Sequence, residues 1–426
     1  MKTNPLDDIV KCNVEISSPA SNDATFDSIL LVVAAPPTAG RLSTAKTFAV
    51  SGADELLDYG YTTNDEAYQA AQVAFSQNPA PNALYCVVRR STETTGDYYE
   101  QSASGVSGAL KIVADSATPS AGEIKVGQVT PVKPASYTPA VDDYVILKQE
   151  TVQAYEDISG TLARANAETA FYGVHLTEFR SRTDVAAAMA WVEANEKILG
   201  VEYTTADSGL TSCPVQNFSC FRTFCVYSGK ADGYAADAQP KTNEYAALAW
   251  MAKCFGYQPG SETWNLKTLS VIVPSALSTS EKGDLSGDKI NTFLRYAGNN
   301  VMIGGFMVSG EWIDVIRFRD WLKNEMQVRV FNVLKGNRKV PYTDEGICMV
   351  QGAMKAALAE GQTIGGIAPT EYDDDGNEIP GYTVKVPRSA DLTDTQRKSR
   401  KLTGCQYTAR LAGAVHAVEI SGYLTF

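Results

Sequence analysis

Ile29-Leu-Leu-Val-Val-Ala34 is a continuous apolar run that stops at Pro36-Pro37, and a short, β-branched run with a proline stop reads as a fully buried strand. Downstream, Thr63 as N-cap and Glu66 three residues later suggest a capping box opening a helix that turns Tyr68, Ala71 and Phe75 to one side. Asn78-Pro79 stops that helix, and Leu84 to Val88, after Pro81-Asn82, is a second strand. Strand, helix, strand over residues 29 to 90 is the signature of an α/β layer.

Beyond it the texture changes. Thr94 to Gln149 is rich in Ser, Thr, Gly, Ala, Pro and Val and has no segment of helical period. Short strands at Leu110 to Val113, Glu123 to Val126 and Tyr144 to Leu147 alternate with turn residues. This is expected to be an inserted β-rich domain, residues 94–155, because the α/β pattern resumes after it. Phe171 to Leu176, Ile198 to Tyr203 and Phe221 to Tyr227 read as strands. Val185, Met189 and Val192 mark a helix, and another spans Asn243 to Cys254. From Trp264 onward, strands are expected at Leu269 to Val273 and Val301 to Met307. One helix carries Val315, Phe318, Leu322 and Met326 on a stripe with Trp321 off it; another carries Ile347, Val350, Met354 and Leu358 and closes at Gly361. Asp375-Gly376 marks a hairpin. The expected architecture is α/β (α+β) and multidomain, with mixed sheets and flanking helices. An α/β domain is formed by 25–93 with 156–262, a C-terminal domain by 263–413, and extended arm strands with their linkers by 1–24 and 414–426.

Composition narrows the function. The chain has 426 residues, 44% apolar and 20% charged, with a net charge of −12. It is long enough for a sizeable core, and a phosphate backbone would be repelled without a dense basic patch. Direct nucleic-acid binding is not expected. The longest apolar run, Ile29 to Pro37, is far shorter than the ~20 residues of a membrane span, and nothing at the start resembles a secretory signal, so folding in the cytoplasm without membrane insertion is expected. None of the eight cysteines forms a CxxC pair, and buried, reduced thiols account for them.

The chemistry-bearing motifs are missing. Two histidines, His175 and His416, are all the chain has, each in a strand-like run. There is no GxSxG elbow, phosphate loop, GxGxxG or HExxH. Glu371-Tyr-Asp-Asp-Asp-Gly-Asn-Glu378 offers calcium-loop oxygens with Gly376 at position 6, but position 12 is then Tyr382, which cannot chelate. No catalytic, cofactor or metal residue is therefore assigned.

The two ends carry the pattern that remains. From His416 the even positions are His416, Val418, Ile420, Gly422, Leu424 and Phe426, and the odd ones Ala417, Glu419, Ser421, Tyr423 and Thr425. One face is mainly apolar, and such a strand must be covered. It either pairs within its own fold or joins the sheet of a neighbouring copy. Val14 and Ile16, within the alternating residues 12 to 17, mark a second arm. Two arms reaching different neighbours give head-to-tail contacts, hence rings or open helices.

At this point the sequence resembles the contractile tail sheath proteins of bacteriophages and related contractile injection systems. The resemblance is carried by Tyr68-Gln-Ala-Ala-Gln-Val-Ala-Phe-Ser-Gln-Asn-Pro-Ala-Pro-Asn-Ala-Leu-Tyr-Cys-Val-Val-Arg89 and Gly310-Glu-Trp-Ile-Asp-Val-Ile-Arg-Phe-Arg-Asp-Trp-Leu322. Lys339-Val-Pro-Tyr-Thr-Asp-Glu-Gly-Ile347 and Leu411-Ala-Gly-Ala-Val-His-Ala-Val-Glu-Ile420 support it. It implies a non-enzymatic virion subunit, assembled in the bacterial cytoplasm as stacked, usually sixfold rings around an inner tail tube protein, with baseplate and tail terminator proteins at the ends. Terminal arms would knit neighbours together and contraction would move rigid bodies. The β-rich insertion would lie on the outside. The basic run Arg397, Lys398, Arg400, Lys401, and Trp321, are candidate contacts with the tube or a neighbour. Two other readings stay open: a different self-assembling shell or surface-layer protein, and an unmarked cytoplasmic α/β hydrolase.

Overall fold

In the computed structural model the described residues are 25–38, 46–205 and 212–423. Val14, Ile16, Leu424 and Phe426 lie outside them. Contacts divide the chain into two compact units, Arg90–Glu156 and the rest.

The larger unit is built on an eight-stranded sheet in the order Asn299–Ile303, Ile290–Tyr296, Thr223–Tyr227, Ile198–Tyr203, Gly173–Leu176, Ile29–Val33, Leu84–Val88, Phe48–Val50. The six inner strands are parallel, and the outermost strand at each margin runs antiparallel to its neighbour. Ile29–Val33 sits near the middle, with Ile29 opposite both Leu84 and Gly173. A strand covered on both faces must be apolar throughout, and all five of its residues are buried. Ile29, Leu31 and Val33 point into a core with helices Glu66–Phe75 and Ala246–Phe255; Leu30 and Val32 point into another with helices Ile158–Glu168 and Arg182–Asn195. The first core contains Phe224, Trp250 and Trp264 in mutual edge-to-face contact at 5.0 to 5.6 Å. Ile290–Tyr296 pairs in parallel with Thr223–Tyr227, so this sheet runs on past residue 263, where the sequence suggested a boundary.

Beyond the sheet, helix Ile313–Gly336 is about 36 Å long at 1.5 Å per residue. Its first turns place Ile313 and Ile316 in the core of the sheet. Phe318, Trp321, Leu322 and Met326 belong to a separate core shared with helix Asp344–Thr363 and the two-stranded sheet Tyr382–Lys385/Gln406–Ala409.

The smaller unit is a five-stranded sheet around Ile112, Ile124, Val129 and Val145. Its spine is a twelve-residue antiparallel ribbon, Ser91–Ser102 against Tyr144–Tyr155. The first of these strands is nearly all polar, so it carried no alternation to read.

Several local expectations are corrected. The Glu66 helix is preceded by Asp65 as N-cap, and Thr62, not Thr63, donates to the Asp65 carboxylate, so there is no Thr63–Glu66 box. Leu269 to Val273 is no strand: Val271 takes φ +58°, and the side chains of Gln77 and Asn243 hold the backbone of Ser270 and Val273. The strand expected to reach Met307 ends at Ile303, because Gly304 and Gly305 turn with φ of +117° and +115°. The Asp344 helix passes through Gly361 to Thr363, and the left-handed residue that follows is Gly365. The 416–423 stretch carries no strand within its own chain.

Candidate assembly surface

The C-terminal half is fastened to the body through ions buried in the long helix. Asp320 accepts both guanidinium nitrogens of Arg222, at 2.7 and 2.9 Å, the Tyr172 hydroxyl at 2.7 Å and Arg319 at 3.1 Å. Burial alone would raise its pKa, but the adjacent Arg222 and Arg319, with the Tyr172 bond, hold the carboxyl below its ordinary range. One turn earlier, Arg317 is fully buried and donates to the carbonyls of Cys254, Phe26 and Tyr257 at 3.0 to 3.3 Å. It pairs with Glu262 and lies 4.8 Å from the Phe255 ring centroid. One turn later, Lys323 reaches Glu196 at 3.1 Å. A buried pair of this kind resists sliding, because any displacement strands a charge in apolar surroundings. The apolar stripe of this helix gives no hint of it, because Arg317, Asp320 and Lys323 lie off the Val315, Phe318, Leu322, Met326 stripe on a second buried side, where charge needs partners.

On the far side of the helix pair, Tyr382–Lys385 is hydrogen-bonded to Gln406–Ala409 along one edge only. Beside it runs a groove of about 400 Å³ lined by Lys355 and Gln362 of the Asp344 helix, by Thr370, Glu378 and Pro380, and by Tyr382, Thr383 and Val384 of the strand. The Asp375-Gly376 hairpin joins Glu371–Tyr372 to Glu378–Ile379. Asp373, which a calcium loop would need as a ligand, accepts from the backbone of Asp375 and Asn377 at 3.0 and 2.7 Å.

The chain leaves this region at residue 412. From there to 423 it has no strand partner, and Val415, Val418 and Ile420 are 79%, 72% and 90% exposed. Val418 and Ile420, read from the sequence as arm residues, therefore present their side chains to solvent.

The basic run divides. Arg397, in the short helix Asp394–Ser399, donates to the carbonyls of Tyr342 at 3.1 Å and of Ser389, tying two loops together. Lys398, Arg400 and Lys401 are exposed. Trp321 is 8% exposed and stacked on Phe318 at 5.8 Å, within the core of the helix pair. His175 is buried with Nε2 at 3.1 Å from both Glu202 oxygens, and His416 touches Thr263 and Trp312. Beside the middle turns of the long helix a cavity of about 10 Å³, lined by Tyr172, Glu196, Asp320 and Lys323 among others, has room for one water-sized sphere.

Residues 313–424 match the family model described as E217 tail sheath protein gp31-like, C-terminal domain. That span contains the long helix, the groove, the basic run and the exposed segment. No curated protein matches by sequence. Among solved structures, the chain is similar over its whole length to a chain of the 6-fold symmetrised anti-feeding prophage (AFP) baseplate, with TM-score 0.58, 13% identity and 100% of each chain covered. The AFP helical sheath in its contracted state matches with TM-score 0.58 and 11% identity over 97% of each chain. The PVC sheath complex of an extracellular contractile injection system, also contracted, matches with TM-score 0.58 and 11% identity over 99% of this chain and 98% of the other. The resemblance to contractile tail sheath proteins thus rests on a matched C-terminal domain and on a fold shared along the entire chain.

Proposed function

We propose that this protein is the structural subunit of a contractile tail sheath. It polymerises as stacked, sixfold rings around an inner tube protein between baseplate and terminator, in a tail or tail-like particle assembled in the host cytoplasm. The observation that carries the reading is the segment 412–423, whose Val415, Val418, Ile420 and Tyr423, 72% to 96% exposed, are the most exposed large apolar side chains among the described residues. A segment of this kind gains a ladder and an apolar cover when it joins another copy's sheet. The edge of Tyr382–Lys385 left without a ladder, next to its groove, is the natural acceptor. The matched C-terminal domain supports the same reading. Residues 12 to 17 would be a second donated strand.

The function so conceived is mechanical rather than catalytic. Contraction would move subunits as rigid bodies, with the buried Arg222–Asp320 and Arg317–Glu262 pairs keeping the long helix locked to the sheet. Lys398, Arg400 and Lys401, with Arg397 anchoring their short helix, would face an acidic strip on the tube or a neighbour; Trp321, buried in the core of the helix pair, would not reach it. Unit 90–156 would be a decorative outer domain.

The test is deletion of residues 415–426. The full chain should form striated hollow cylinders under negative stain, and the truncated chain should fold with an unchanged melting temperature but fail to form them. Cylinders from the truncated chain would refute the donated-strand mechanism. Flat lattices from the full chain would point to a surface layer, and compact particles to an enzyme.

A further inference from the structure

The last backbone tie between the exposed segment and the body is the Ala412 N–H donating to the Gly366 carbonyl at 3.1 Å. Gly413 follows with φ +68°, a conformation open to glycine at little strain. Ala414 and Val415 are exposed. His416 then returns to the body. Its Nε2 lies 2.9 Å from Thr263 Oγ1, and its ring meets Trp312 edge to face, with centroids 4.5 Å apart and planes at 81°. From 411 to 423 it is the one residue that is not exposed.

The dock belongs to the rigid frame. Trp312 is the N-cap residue of the long helix and packs on Phe306 at 4.6 Å. An antiparallel bridge joins the two, and the Ile313 N–H donates to the Gly305 carbonyl at 2.9 Å. Thr263 adjoins Trp264, which is buried among Phe224, Trp250 and Phe255. A histidine seated on this surface is referenced to the start of the long helix and to the aromatic core beneath it.

We propose that His416 is a positioning residue, a side-chain latch that seats the root of segment 417–423 against the start of the long helix. With His416 seated the segment pivots at residue 417; with it released the pivot retreats to Gly413. Four residues of extended chain reach about 13 Å, so release lengthens the free arm by that much while the Ala412–Gly366 tie stays closed. One aromatic contact and one hydrogen bond form a contact that opens reversibly. The structure favours the seated state, which aims the arm instead of leaving it to sample a sphere. The use assigned to the latch, guiding a strand toward a neighbouring copy, rests on the sheath reading; the latch itself does not.

The test uses the full chain with Cys12 and Cys405 replaced by serine, spin-labelled at Cys348, which is exposed on the Asp344 helix, and at Ile420→Cys. Pulsed dipolar distances should be narrowly distributed in this background. His416→Ala should broaden them and extend the longest by up to ~13 Å, with the melting temperature unchanged. Thr263→Val, which removes one of the two contacts, should give an intermediate width. Amide exchange at 414–416 should rise in His416→Ala to the rate of 417–423. An unchanged distance distribution in His416→Ala overturns the proposal, as does a background distribution already as broad as the variant's. These readings need no polymer. Failure of the unlabelled chain to form cylinders would remove the sheath reading alone, and cylinders with an unmoved distance distribution would remove the latch alone.

Discussion

At the scale of single residues the molecule depends on ions placed where apolar side chains would be expected. Asp320→Asn leaves Arg222 buried without its bidentate carboxylate and should lower stability by ~3 to 5 kcal/mol, seen as a lower urea midpoint; Arg222→Met with Asp320→Leu should recover much of it. The pair also sets an acid limit. The native pKa of Asp320 lies below the unfolded value of about 3.9. Its contribution is therefore complete above that value and is lost as the pH falls through the native pKa, a loss absent from Asp320→Asn in urea titrations at graded acid pH. Lys197 behaves oppositely. Burial and the nearby Arg222 push its pKa down to about 8 from 10.5, and its Nζ lies 5.1 Å from the Phe171 ring centroid. Below pH 8 the folded protein carries the full penalty of that charge, and between 8 and 10.5 the unfolded chain binds the extra proton, so stability rises with pH. Lys197→Met should flatten this rise and stabilise the protein at pH 7 by on the order of 3 kcal/mol. A variant no more stable than the parent would mean that the lysine is not buried as a cation.

At the scale of elements the long helix is the joint between the two cores, and its seat is the Phe318 ring. A methyl group at Gly366 would overlap that ring, one at Gly260 would come within 2.6 Å and one at Gly361 within 3.2 Å. Gly366→Ala should therefore cost about 1 to 3 kcal/mol by overpacking, and Phe318→Leu in the same chain should relieve part of that cost, which a double-mutant thermal-unfolding series would reveal. None of these three glycine approaches was visible in the sequence, because close approach to Phe318 from residues 260, 361 and 366 has no local signature. The central strands were legible, since a sheet covered on both faces writes itself as runs such as Ile29–Val33 and Ile198–Tyr203. Helix stripes such as Val185, Met189, Val192 were legible for the same reason of periodic burial. What could not be read were elements fixed by distant polar groups, such as the 269–273 segment held by Gln77 and Asn243, and the polar ribbon Ser91–Ser102, whose partner lies across the smaller unit. For the candidate surface the sequence showed the alternation of 416–426, and the structure adds that Val418 and Ile420 are exposed. The ionic fastening was not legible, because which carboxylate meets Arg222 depends on the register of a helix nearly a hundred residues away.

At the scale of the whole molecule, the smaller unit begins and ends side by side: Ser91 pairs with Tyr155, and the Glu156 N–H donates to the Arg90 carbonyl at 2.8 Å. Replacing 91–155 by Asn-Gly should leave the remaining unit folded, with native-like circular dichroism and cylinders under negative stain; loss of folding would show that the unit is integral. The large sheet shows the opposite economy. Its margin strand Asn299–Ile303 has Met302 bonded on its outer side to the backbone of Leu266 and Lys267, and the other margin, Phe48–Val50, is only three residues long. Both rims are thus poor templates for a stray strand. On the proposed reading the consequence is a division of traffic: the broad sheet is sealed against recruits and the narrow Tyr382–Lys385 ledge would be the gate, so a chain rich in β-structure would multiply contacts in an ordered queue and stay clear of amyloid-like stacking.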